Sequence, residues 1–301
     1  MRNPRLGAFL LLPGLLLAAA CSAPSASPSG GAASGSTDPK PGGSLALRIT
    51  GDPFDWDLSY VGKSIPNGDS QPFIYNSLLG YKTGPGLKHA ELVLRPELAE
   101  TWAVSPDGST FTFNLRKGVK FAPKEPVNGR ELTAADVKWS YEYWSRSGQF
   151  KDKKLPTGQF GWMYEGLKAV DTPDDHTVVV RFSEPFAPFL NYAASDYNPV
   201  VAHEIYDRDG HMKNTAVGTG AFQLDETASQ KGSRWVFKKH PSYWEPGRPY
   251  LDEVRLLVIP DDSTALAAFK TRQVDMLGVS TRLSTQQAQD IRAQRRDDGV
   301  P

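Results

Sequence analysis

Polar and apolar positions alternate most regularly in the stretch Arg95 to Phe121, RPELAETWAVSPDGSTFTFNLRKGVKF. From Thr110 to Leu115 the alternation is strict. Side chains on a strand point to opposite faces in turn, so Phe111, Phe113 and Leu115 share one face and Thr110, Thr112 and Asn114 the other. A second strand-like run precedes it, with Ser105-Pro106-Asp107-Gly108 between the two. Pro at the second turn position fixes φ, Asp suits the bend and Gly tolerates the exit geometry, so the pattern predicts a hairpin with a buried aromatic face. Lys117-Gly118 ends it.

The same reading divides the rest of the chain. Ser44 to Thr50 predicts a strand, broken by Gly51-Asp52-Pro53, with Phe54 to Leu58 as a loop. Ser70 is placed to cap a helix from Gln71 to Leu79, which Gly80 would end. Thr133 and Asp136 have capping-box spacing, and the helix behind them puts Val137, Tyr141 and Trp144 on one core-facing stripe. Leu167 to Asp171 and Thr177 to Phe182 predict a second hairpin, and Glu184 to Leu190 the start of a short helix. Phe222 to Asp225 and Arg234 to Lys238 read as strand, turn and strand; a further strand runs to Ile259. Asp261 to Ser263 cap a helix with Leu266 and Phe269 inward, Gln273 to Leu277 predicts a last strand, and Ser284 to Arg296 is polar and helix-compatible. No internal repeat is evident.

Composition narrows the class. A chain of 301 residues suggests two domains and an ample core. Lys+Arg and Asp+Glu both total 34, so net charge points to neither nucleic acid nor an anionic membrane as partner. Arg292, Arg295 and Arg296 are offset by Asp290, Asp297 and Asp298. The N-terminus changes the picture more. Arg2 and Arg5 precede an apolar run, Leu6 to Leu17, too short to span a bilayer. Ala18-Ala19-Ala20 then leads to Cys21, the only cysteine, which cannot form an internal disulfide. Residues 1–20 read as a targeting segment. Cys21 resembles the lipidated cysteine of a bacterial lipobox, with Ala18 where Leu is commonest; an ordinary secretory signal cut near Ala20 is the competing reading. Ser22 to Gly43 is rich in Ser, Gly, Ala and Pro and reads as a disordered tether reaching roughly 25 Å.

The string from Ala99-Glu100-Thr101-Trp102 through Ser105-Pro106-Asp107-Gly108 to Leu115-Arg116-Lys117-Gly118-Val119-Lys120-Phe121 resembles the signature of the family 5 extracellular solute-binding proteins of ABC importers. So do Leu132 to Val137, Glu184-Pro185-Phe186, Gly218-Thr219-Gly220-Ala221-Phe222, and His240-Pro241-Ser242-Tyr243-Trp244, the last with His for Asn. The resemblance covers about Gly43 to Leu277. It implies a mixed α/β fold of the type II periplasmic-binding-protein architecture, of which only the N-terminal part is expected, the chain being C-terminally truncated. Its expected domains are a first lobe-I segment (44–60), an inserted extra domain (61–167), a second lobe-I segment with crossover (168–277), and the start of a second lobe (278–301). The ligand-binding residues it implies are Gly51, Asp52, Pro53, Phe54, Gly218, Thr219, Gly220 and Phe222.

Enzymatic signatures are missing. His89, His176, His203, His211 and His240 show no zinc-site spacing, and no Gly-x-Ser-x-Gly elbow appears. Gly62-Lys63-Ser64 fails as a phosphate loop because Asp57 stands where Gly is needed; Gly218-Thr219-Gly220 fails as a dinucleotide loop because Gln223 replaces the third glycine. Asp174-Asp175 and Asp261-Asp262 sit at turn and helix-start positions. The resemblance implies a monomeric, exported, lipid-anchored receptor that captures a peptide or other small solute and passes it to ABC permease subunits, without a cofactor, a metal, nucleic acid or catalysis. A non-transporting remnant or surface adhesin, and an exported α/β hydrolase, are the alternatives.

Overall fold

The computed structural model describes residues 39–53, 55–57, 65–84, 87–88, 91–155, 158, 160–278 and 281–297. Every described element lies in the unit that begins at Lys40. Two four-stranded sheets organise it. In the first, β1 (Ser44–Ile49) pairs in parallel with β10 (Glu253–Val258), which is followed by antiparallel β9 (Arg234–Lys239) and β8 (Phe222–Leu224). The second is wholly antiparallel, in the order β4 (Ala99–Val104), β5 (Thr110–Leu115), β7 (Thr177–Phe182), β6 (Leu167–Asp174). The architecture is mixed α/β, as the resemblance implied.

The β4–β5 hairpin forms as its pattern predicts. Gly108 takes a left-handed φ of 70° and donates to Ser105 across the turn, while the Asp107 carboxylate accepts from the Ser105 hydroxyl and the Ser109 N–H. Phe111, Phe113 and Leu115 are buried, whereas Asn114 is exposed. Phe111 faces Val180 and Phe113 faces Val178 on β7, so both hairpins contribute to one hydrophobic face. Phe189, on the short helix α3 (Phe189–Ala193), packs edge-on against Phe111, Phe113 and Phe182. The β6–β7 hairpin completes the second sheet rather than the first, pairing with β5 across the expected boundary at 167/168.

Helix α2 (Ala134–Ser145) packs on that sheet. Its start follows the capping-box spacing: the Asp136 carboxylate accepts from the Thr133 N–H at 2.9 Å. Val137, Tyr141 and Trp144 are buried, as the stripe predicted. Arg130 clamps this end. Its guanidinium forms paired bonds to Asp136 and further bonds to Glu204, on helix α4 (His203–Asp209), with its plane over Phe121.

Two elements differ from the pattern reading. Helix α1 spans Ile65–Ile74 rather than starting at Gln71, so Ser70 lies within it. Beyond Ile74 the chain is taken by long-range partners: Asn76 donates to Glu97 and Ser77 to the Ser195 carbonyl. Leu79–Tyr81 then forms β2, paired with β3 (Leu94–Pro96). Likewise, Gln273 to Leu277 supplies only a single parallel rung, Met276 opposite Leu47, on the free edge of β1. Helices α5 (Asp262–Lys270) and α6 (Thr285–Asp297) fall where the capping and polar patterns put them.

Candidate functional site

The glycine-rich segment before β8 is built around the end of α1. A Cβ on Gly218 would lie 2.2 Å from the Ile74 carbonyl oxygen and 2.6 Å from the Tyr75 ring, and one on Gly220 would lie 2.5 Å from the Ile74 carbonyl carbon. Only glycine permits that approach. It is fixed by the Gly220 N–H donating to Ile74 at 2.7 Å and the Ala122 N–H donating to Gly218 at 2.9 Å. Thr219, wholly buried between them, donates to Asn76 Oδ1 at 3.1 Å. The same oxygen accepts from the Trp244 indole, so one asparagine joins the segment just after α1 to the Gly-Thr-Gly segment and to the Ser242-Tyr243-Trp244 turn. His240 is buried next to them; its N–H donates to Ala221, and burial pushes its imidazole below its ordinary pKa.

The predicted Gly51 to Phe54 segment reaches the same sheet. Trp235 and Phe237 share one face of β9, since they are two residues apart. The Asp52 carboxylate accepts from the Trp235 indole at 2.8 Å and from the Gly232 N–H at 2.9 Å, and Trp56 packs edge-on against Trp235. One step along, Phe73 of α1 meets Phe237 and Phe222. Both predicted groups therefore converge on one face of β9. Their exposure differs. Gly218, Thr219, Gly220, Phe222 and Pro53 are buried, whereas a side chain on Gly51 would meet open space. Phe54 and Cys21 lie outside the described residues.

Several features gave no usable sequence signal. Asp57 is buried, accepting from the Tyr143 hydroxyl at 2.7 Å, and burial raises the pKa of the neighbouring Asp55 from its ordinary value. Trp162 is 55% exposed and packs edge-on against Tyr192, a large apolar surface open to solvent. Leu47, Ile49, Leu256, Phe269, Met276 and Leu283 line an apolar cavity of about 520 Å³ beside β1. Asp136, His203 and Glu204 bring potential metal-ligating atoms within 4.8 Å of one another, but the Arg130 guanidinium already bonds both carboxylates. No described helix is long and apolar enough to cross a membrane.

Residues 93–299 match the model of the bacterial extracellular solute-binding proteins, family 5 Middle. The chain belongs to this family. It is similar to the dipeptide-binding protein of Escherichia coli K12, with 32% identity over 237 residues, covering 74% of this chain and 41% of the relative. It is also similar to heme-binding protein A of Haemophilus influenzae, 30% identical over 230 residues, covering 70% of this chain and 39% of the relative. Among solved structures, it resembles the periplasmic binding protein DppA of Helicobacter pylori in complex with the peptide STSA, at a TM-score of 0.66 and 27% identity. That match covers 78% of this chain and 46% of DppA. The chain thus spans about two fifths of the curated relatives' length.

Proposed function

We propose that this protein is the solute-capturing component of an ABC importer, taking up peptides or similar small solutes and delivering them to a permease. The supporting observation is family membership over residues 93–299 joined to relatives that bind dipeptides and haem. Binding rather than catalysis is the chemistry proposed. In this reading Gly51, with its open flank, brings accessible main chain to the solute, and Asp52, Pro53 and Phe54 belong to the same rim. Gly218, Thr219, Gly220 and Phe222 act as its frame, holding α1 and β9 at a fixed separation. Main-chain pairing suits peptides of varied sequence, because N–H and C=O groups recur at every residue. Segments 44–60 and 168–277 form the first lobe, 61–167 the inserted domain and 278–301 the approach to a second lobe, with the β6–β7 hairpin of the second segment crossing over to pair with β5 of the inserted domain. Cys21 carries the lipid that anchors a monomeric receptor at the outer face of the membrane.

Uptake of labelled di- and tripeptides by cells carrying or lacking the gene tests this reading. Uptake should fall on deletion and return on complementation. Peptide uptake unchanged by deletion, with no purified-protein thermal shift in a mixed peptide library, would refute it.

A further inference from the structure

A second cavity, of about 470 Å³ and lined mainly by polar atoms, lies beside β2 and β3. Lys82, Thr83, Arg95, Glu245 and Arg248 line it. The three cations come from different parts of the chain: Lys82 follows β2, Arg95 lies on β3, and Arg248 lies in the loop before β10. Two of them are held in place. The Arg95 Nε donates to the Tyr81 carbonyl at 3.3 Å and its Nη1 to Pro96 at 3.4 Å, with Glu97 at 3.7 Å. The Arg248 guanidinium lies over the Tyr250 ring, 4.3 Å from its centroid. Among the described residues, neither Arg248 nor Lys82 has an ion-pair or side-chain hydrogen-bond partner.

The cavity therefore presents an excess of N–H donors. An arginine carries five and a lysine three, and neither accepts a hydrogen bond. Against them stands one lining carboxylate, Glu245; Glu97, next to Arg95, already accepts from Asn76 and is ion-paired with Arg95. Thr83 adds a hydroxyl that can donate. Such a lining is complementary to an oxyanion, whose lone pairs match a planar guanidinium and whose charge offsets the surplus. The volume admits a small organic molecule.

We propose that this cavity is a binding site for a small oxyanion, a carboxylate or phosphate group, held by Lys82, Arg95 and Arg248. Glu245 limits its affinity by repulsion. The site stands independently of the solute reading above, since it shares none of the rim residues.

The test is calorimetric titration of the full chain with succinate and, in a separate arm, inorganic phosphate, at low ionic strength. Saturable binding is expected in at least one arm, and the stronger arm identifies the anion class. Arg248→Gln or Lys82→Gln should weaken binding about tenfold by removing a charge-assisted contact. Glu245→Gln should tighten it. Lys82 and Arg248 are exposed and Glu245 half-buried, all outside the cores, so each variant's unchanged melting temperature certifies its fold. Absence of saturable binding in both arms would overturn the proposal. So would binding that Arg248→Gln, Lys82→Gln and Glu245→Gln all leave unchanged.

Discussion

Gly218→Ala should be among the most damaging single-methyl additions in this protein. The new Cβ would sit 2.2 Å from the Ile74 carbonyl oxygen, whereas carbon–oxygen contacts settle at about 3.3–3.6 Å. Relief requires the two backbones to part by roughly 1 Å. Neither side yields freely, because Gly220 is bonded to Ile74 at 2.7 Å and Gly218 to Ala122 at 2.9 Å. Overpacking of this kind costs about 1–3 kcal/mol. Each weakened hydrogen bond adds about 0.5–1.5 kcal/mol. With two bonds at risk, the total is about 2–6 kcal/mol, a large part of the roughly 5–15 kcal/mol that stabilises a domain. At about 2–4 °C per kcal/mol the melting temperature should fall by several degrees at least. Gly51→Ala is the control, since a side chain there meets open space; it should be neutral or slightly stabilising by limiting the unfolded chain. Thermal and urea unfolding of both variants measures the contrast. A Gly218→Ala protein melting within a degree of the parent would show that the segment is not pressed against α1.

Phe113→Ala should cost about 3–5 kcal/mol, since the ring is wholly buried between β7 and α3; an unchanged urea midpoint would contradict that packing. Cys21→Ser should move the protein from the membrane to the soluble fraction, because two acyl chains anchor stably where one is marginal, and unaltered fractionation would dismiss the anchor. His240 has a folded-state pKa depressed by burial, so the unfolded chain takes up the proton first. Stability should therefore be level above about pH 6.5 and fall as the pH drops below it, and His240→Gln should flatten that fall in melts taken between neutral and mildly acidic pH.

The parts of the fold legible in the sequence are those set by local chemistry. The β4–β5 hairpin needed only its alternation and a turn whose Gly108 takes positive φ; α2 needed its cap and its stripe. Helix α1 was misplaced because Ser70 has the chemistry of a cap while the residues that end the helix, Asn76 and Ser77, act through Glu97 and Ser195 far along the chain. The Gly-Thr-Gly spacing is visible as a motif, but its cause, the closeness of Ile74, is a tertiary fact. Arg48 shows the same limit. In sequence it is one charge in a strand; in the fold it is 1% exposed, donating to Ile259, Pro260, Asp262 and Thr281.

The pairing of β1 with β10 also bears on how the protein is made. Ser44 has no sheet partner until Glu253 has been synthesised, whereas the second sheet is assembled from two hairpins closed by short turns. Contacts between distant segments form slowly, since the intervening chain must be ordered first. During synthesis, the hairpins around Ser105 and Asp175 can therefore collapse early, leaving β1 as an unpaired edge until residues 253–258 have emerged. An exposed strand of that kind invites aggregation, so the first sheet is where a chaperone would have most to protect.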